Sequence, residues 1–280
     1  MVLPARVIVR GGGELASAAA RLLFLSGAHV LVLERAQPLA VRRRVSFADA
    51  VFSGERVVEG VLGRRIAADA IPSAPGDFVA VIVDPEGGVL ATWPADVIVD
   101  ARMTKQAPGP RAAVGAFLVG LGPGFIAGAD VDAVIETQRG PDLGRVVWSG
   151  SATADTSRPS PVLGFTEQRV LRAPRAGTYH ETVAIGAIVI PGDVVGDVDG
   201  EPVATPIAGL LRGAIRDGVV VAAGVKVGDV DPRGPRVDAA RISDKARAVA
   251  AGVLEAVLLR SPKTVAPARG VRYPLVTRDD

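Results

Sequence analysis

The stretch P-A-R-V-I-V-R-G-G-G-E-L-A-S-A-A-A-R-L-L-F-L-S-G-A-H-V-L-V-L-E, residues 4–34, decides the fold because it holds a strand, a glycine turn, a helix and a second strand. Val7, Ile8 and Val9 form a β-branched run, which Gly11, Gly12 and Gly13 interrupt. Leu15, Ala18, Ala19, Leu22, Leu23 and Leu25 then recur at helical spacing. Ser26-Gly27 closes the helix, His29 to Leu33 is again apolar, and Glu34 ends the unit. The turn reads G-x-G-x-x-A, with Gly11, Gly13 and Ala16 at the marked positions and an acid at the end of the next strand.

This spacing has a chemical reading. A tight strand-to-helix turn needs glycine where φ is unusual or where a ligand approaches the backbone, and the free N–H groups at a helix start favour phosphate. Glu34 is then placed to accept hydrogen bonds from a ribose diol. Glu14 would favour the helix start yet repel an incoming phosphate, and Arg10 adds a charge at the mouth. The competing reading is structural: three glycines for a tight turn, Ala16 for close packing and Glu34 facing solvent.

Composition bounds the rest. With 280 residues, 49% of them hydrophobic, and a mean hydropathy of +0.33, the chain can bury a sizeable core in one or two domains. Aromatic residues make up only 4%, so the core is built from small aliphatic side chains. The sequence has no cysteine, which excludes disulfides and thiolate metal ligands. A net charge of +2, without a long basic tract, argues against a dedicated nucleic-acid binder. Neither a signal-peptide pattern nor a charge-free apolar span of about twenty residues is present, so a cytoplasmic protein without membrane attachment is the expectation.

Beyond the first unit, Arg42, Arg43 and Arg44 precede Ser46 and a short apolar segment. They form an anion site if they converge and an ordinary solvated face if they diverge. Strands are expected at 78–83 and 96–99, and the nearby acids Asp84 and Asp100 read either as ligand groups or as turn caps. A second glycine-rich loop, with Gly120, Gly122 and Gly124 after an apolar strand, reads as a backbone cradle or a tight crossover. It lacks the G-K-[ST] ending of a Walker loop.

The resulting expectation is an α/β protein. Residues 1–148 form a Rossmann-like open sheet and 149–166 a linker or loop; residues 167–236 form a β-rich barrel or sandwich-like subdomain, and 237–280 a terminal helix and tail. The candidate cofactor-binding set is Gly11, Gly12, Gly13, Glu34, Arg42, Arg43, Gly120, Gly122 and Gly124. No metal site is expected, since His29 and His180 stand without a ligand cluster. Lys226 and Lys245 only superficially resemble attachment lysines.

The whole pattern resembles the YqeB-like accessory-protein family of the selenium-dependent molybdenum hydroxylase system. The resemblance rests on R-G-G-G-E-L-A at 10–16, the run from Glu34 to Ala50, V-G-L-G-P-G-F at 119–125 and A-V-I-E-T-Q-R-G-P-D-L-G-R at 133–145. It continues in 211–218, 224–233 and 242–248. It implies a maturation or accessory role, acting on a molybdenum hydroxylase apoenzyme or handling a phosphorylated small molecule, such as a molybdopterin-type cofactor or a nucleotide. Asp132 and Pro141 stand where the family often has histidine, so no proton-transfer or metal role is carried over to them. Lacking cysteine, the chain fits a non-covalent chaperone or dimeric binding scaffold better than a persulfide carrier. The alternative is a nucleotide-dependent oxidoreductase or transferase.

Overall fold

A computed structural model describes residues 5–104, 115–156 and 158–260. The first half runs β1 (Arg6–Arg10), α1 (Glu14–Leu25), β2 (His29–Glu34), α2 (Ala50–Ser53), β3 (Glu55–Val58), β4 (Val61–Arg65), β5 (Phe78–Val83), β6 (Val97–Asp100) and β7 (Phe117–Leu121). It continues through β8 (Ile126–Ala127), β9 (Ala133–Ile135), β10 (Val146–Val147) and β11 (Gly150–Ser151). The remainder is β12 (Val170–Arg172), β13 (Gly177–Glu181), β14 (Ile188–Val189), β15 (Val194–Val198), β16 (Glu201–Ala204), β17 (Gly209–Ala214), β18 (Val220–Val221), β19 (Lys226–Asp231) and α3 (Asp244–Arg260).

A nine-stranded sheet of order β10-β9-β7-β6-β1-β2-β5-β4-β3 forms the first layer. Its middle, from β9 to β4, is parallel, and the β10 and β3 edges are antiparallel. Central strands of a parallel sheet are buried on both faces, which is why β1 and β2 read as continuous apolar runs rather than alternating ones. Alternate residues divide between two cores. Val7, Val9, Val30, Val32, Val81 and Val99 face α1 and α3, whereas Ile8, Leu31, Leu33, Ile82 and Ile98 pack with Trp93 and Val89 on the opposite face. Each such side chain contributes roughly 1.5–3 kcal/mol by leaving water.

The two long helices lie on one face. α1 presents Ala16, Ala18, Ala19 and Ala20, all buried, and α3 packs against it through Ala246, Val249, Ala250 and Val253. Small residues on both sides permit this close approach. The expected terminal helix therefore belongs to the first layer instead of trailing from the second. The β2-to-β5 passage carries the single-turn α2, the β3–β4 hairpin and 3-10 turns at Arg43–Val45, Phe47–Asp49 and Ala68–Ala70, and the β5-to-β6 passage a single 3-10 turn at Gly88–Ala91. The architecture is thus a mixed α/β fold with one large sheet and few helices.

In the second layer, two four-stranded antiparallel sheets, β12-β19-β17-β14 and β16-β15-β13-β18, enclose one apolar cluster that includes Leu171, Tyr179, Val195, Leu211, Ile215, Val227 and Val230. Val41, from the segment after β2, is inserted into this same cluster. Its carbonyl lies 2.5 Å from the position a Cβ would take at Gly213, so no larger residue fits there. Described residues within 149–166 make local pairings. Gly150 and Ser151 pair with Ala127 and Ile126, Val162 and Phe165 bridge, and the Ser160 carbonyl accepts Arg169.

Candidate functional site

β1 is flanked by β2 on one side and β6 on the other, so the chain leaves β1 in one direction and returns on the opposite side. The crevice outside the carboxyl ends of such a strand pair is where open α/β sheets bind ligands. Gly11, Gly12 and Gly13 sit there, between β1 and α1, and each has a different reason to be glycine. Gly11 adopts φ +95°, donates to the Leu33 carbonyl at 2.7 Å and lies against the Ala101 carbonyl. A Cβ at Gly12 would stand 2.8 Å from the Ala48 backbone nitrogen. The Gly12 carbonyl accepts both that N–H and the Ser17 hydroxyl, each at 2.9 Å.

Gly13 differs from both. Its φ is an ordinary −67°, nothing lies within 4 Å of its Cβ position, and it starts α1 without a side-chain cap. Among the described residues its N–H has no acceptor, and the first-turn N–H groups of α1 follow it. Glu34 closes the other side of the crevice. Its carboxylate accepts the Gly12 N–H at 2.7 Å and the Arg35 N–H at 2.8 Å, and burial pushes its pKa up.

Three charged side chains that the sequence reading left out of the candidate set complete the crevice wall. Asp100, at the end of β6 and largely buried, holds Arg102 through Nε at 3.0 Å and Nη2 at 2.6 Å, and this pairing raises the Arg102 pKa. Arg10 lies 3.9 Å from the same carboxylate and donates to the Pro85 carbonyl, while its buried Nε has no acceptor. Their signal was positional: each stands at or just beyond the carboxyl end of a strand beside the glycine turn. Asp84 instead caps a turn through the N–H groups of Gly87, Gly88 and Val89. The strands preceding Asp84 and Asp100 are not neighbours, since β1 and β2 lie between them.

The second glycine loop is packed by its own side chains. A Cβ on Gly120 would collide with the Phe125 ring, and one on Gly122, where φ is +74°, would lie 2.6 Å from the Thr137 hydroxyl. Gly124 takes φ +104° to turn the chain. These glycines let Phe125 fold over β7, which favours the tight crossover over the cradle. Glu136, just past β9, braces the neighbouring loops: burial works to raise its pKa, but the N–H groups of Gln138, Thr153 and Thr137 outweigh this and hold it low.

Arg42 diverges from Arg43 and Arg44. Arg42 is buried and donates to the Arg241 carbonyl at 2.8 Å, with Glu14 3.5 Å away beside the start of α1. Arg43 pairs with Glu181, and Arg44 donates to the Ile185 carbonyl, both in the second layer. Only Arg42 of the run approaches the glycine turn, and burial lowers its pKa.

Comparison with known proteins adds family information. No family model matches the chain. Over 255 residues, 90% of this chain and 47% of the other, it is 42% identical to the uncharacterized protein YqeB of Escherichia coli (strain K12). In sequence the chain is YqeB-like. It spans about half the length of that relative, which is itself uncharacterized, so the similarity carries no activity. Among solved structures, an aspartoacylase family protein from Mesorhizobium loti covers 81% of this chain and 85% of its own length at 14% identity with a TM-score of 0.26. The ectoine utilization protein EutE (DoeB) of Ruegeria pomeroyi, in its product-bound form, is 20% identical over 30% of this chain and 27% of its own, with a TM-score of 0.21. Scores this low carry no argument.

The other residues weighed from the sequence have structural partners in this YqeB-like chain. Lys226 opens β19, away from any hairpin tip, and its ammonium reaches Asp229 at 3.1 Å. His180 lies 3.6 Å from Asp217, and His29 is buried edge-on against Trp93 at the start of β2, where burial lowers its pKa. Among the described residues no three His, Asp or Glu side chains are grouped to hold a metal ion. No described helix is long and apolar enough to cross a membrane.

Proposed function

We propose that this YqeB-like chain is an accessory or maturation factor for a selenium-dependent molybdenum hydroxylase, binding a phosphorylated cofactor and presenting it to the apoenzyme. The reading is supported by the family resemblance and by one observation, the open Gly13 N–H at the start of α1 beside Glu34. Among the described residues the Gly13 N–H has no acceptor, and a helix start carries partial positive charge that favours phosphate.

Each neighbour has a role in binding. Glu34 already holds two backbone N–H groups, one per oxygen, which fixes its carboxylate at the strand end with lone pairs left for hydroxyls of the ligand. Gly11 and Gly12 keep the turn tight against Ala101 and Ala48, so the backbone needs no rearrangement to accept the phosphate. Glu14 is drawn aside by the Ser243 N–H at 2.9 Å and by Arg42, which offsets its repulsion of the ligand. A molybdopterin-type cofactor or nucleotide would supply the phosphate and, in the dinucleotide forms, the ribose diol.

The test is to identify what copurifies with the chain and to titrate candidates by calorimetry. Molybdopterin or its nucleotide, bound with an affinity that Glu34→Ala and Gly13→Asp both reduce, is the expected result. A nicotinamide or flavin with measurable turnover would instead support the second reading, a nucleotide-dependent oxidoreductase or transferase, which the same Glu34 placement accommodates. Binding unchanged in both variants would sink the glycine-turn site. Retention of an apo-hydroxylase by the purified chain tests the partner separately.

A further inference from the structure

We infer that the cleft between the Arg43–Arg56 segment and the second layer is an oxyanion site of its own, distinct from the Gly13 turn, built for a phosphate-type dianion. The inference does not depend on the proposed function. One wall carries Arg43, Arg44 and Arg56, and the other Glu181, Thr182, Ala184, Ile185 and Asp217, around about 460 Å³. That volume falls in the range of small-molecule sites.

The charges are unevenly matched. Arg43 is paired with Glu181, and Arg56 with the buried Asp49, which also has Arg216 at 3.5 Å. Arg44 donates only to a backbone carbonyl, and among the described residues no carboxylate lies within ion-pair distance of it. Three guanidinium groups and two carboxylates line the cleft, leaving it net positive. The Nε–H groups of Arg43 and Arg56 are buried with no acceptor, so their carboxylate partners leave both guanidinium groups incompletely satisfied. Asp217 is already engaged, accepting the Glu181 N–H at 3.0 Å.

Shape selects the class of anion. A carboxylate offers two oxygens in one plane, and Glu181 already supplies that to Arg43. A tetrahedral phosphate offers oxygens in several directions and can bridge guanidinium groups arriving from separate segments, which is the strength of arginine at such sites. Arg44 would receive it first, being exposed and free of a competing acid, and Arg43 would follow as Glu181 yields its place. The alternative is that these pairs only staple the two layers together.

The experiment titrates the full chain with inorganic phosphate by calorimetry at low ionic strength, with malonate as the dicarboxylate control and glycerol 3-phosphate to separate a phosphomonoester from free phosphate. Either phosphate should bind more tightly than malonate. Arg44→Gln, at an exposed side chain that leaves the core intact, should weaken binding by about tenfold or more. Glu181→Gln should tighten it several-fold by releasing Arg43, and Gly13→Asp should leave the Arg44-dependent binding unchanged. Absence of phosphate binding, indifference to Arg44→Gln, malonate binding as tightly as phosphate, or loss of binding in a folded Glu181→Gln protein would each overturn the assignment.

Discussion

Glu34, the last residue of β2, accepts the backbone N–H of Gly12 at 2.7 Å, so the strand end and the glycine turn form one hydrogen-bonded unit. The bond is made at a half-buried carboxylate whose pKa loss of solvent has raised. The folded state therefore holds the Glu34 proton more tightly than the unfolded chain, for which about 4.3 is usual. Its contribution to stability is fully present below that value and is lost as pH rises through the folded pKa. Glu34→Gln removes this titration, so the variant should gain on the wild type as pH rises across that window. Urea unfolding at a series of pH values measures the gap, and a gap that stays flat would contradict the assignment.

Gly12 and Gly13 are adjacent but should respond oppositely to substitution. Gly12→Ala drives a Cβ into the Ala48 backbone, which costs about 1–3 kcal/mol as overpacking. Gly13→Asp has open space and ordinary φ, and aspartate is a preferred residue at a helix start. Thermal unfolding should show a lowered midpoint for the first and an unchanged or raised one for the second, while the second loses affinity for phosphorylated ligands at the turn.

Asp229 is buried in β19 and braced by Arg212 Nε at 2.8 Å and Lys226 Nζ at 3.1 Å. Burial works against its charge, but the two cations prevail and bring its pKa down to about 2. Its stabilising effect is present above the unfolded value of about 3.9 and is lost as pH falls through the folded one. Asp229→Asn should cost about 1.5–3 kcal/mol, the worth of hydrogen bonds to a charged group, since Arg212 keeps Asp231 at 3.3 Å and Lys226 is partly exposed. It should also remove this share of the acid loss of stability, read by denaturant unfolding between about pH 4 and pH 2.

Gly252 lies within α3, where replacing an ordinary helical glycine by alanine gains about 1 kcal/mol. Here the sign reverses, because a Cβ would collide with the Gly144 carbonyl oxygen and crowd Ile135. Gly252→Ala should destabilise by about 1–3 kcal/mol and loosen α3 from the sheet. Urea unfolding and amide exchange in α3 check both. A stabilised variant would mean that the close approach of α3 to the Gly144 loop is absent in solution.

Local chemistry was legible in the sequence. The turn from Arg10 to Glu14, the helix after it and the strand ending at Glu34 follow from β-branched runs, glycine placement and helical periodicity, which act over a few residues. The direction of the arginine run was not legible, because it depends on Val41 being anchored in the core of the second layer. That anchor carries Arg43 and Arg44 across to Glu181 and Ile185 and leaves Arg42 beside Glu14. The role of Gly120 was hidden for a similar reason, since its glycine answers to the Phe125 ring folding back over β7. The partner of α3 was hidden as well: its apolar stripe was readable, but that the stripe meets the alanines of α1 depends on contacts more than 200 residues apart. Periodicity and turn preference are properties of neighbouring residues and determine which elements form. Which way a charged side chain points, and which surface a helix covers, are decided by packing between distant segments, and only the tertiary structure supplies it.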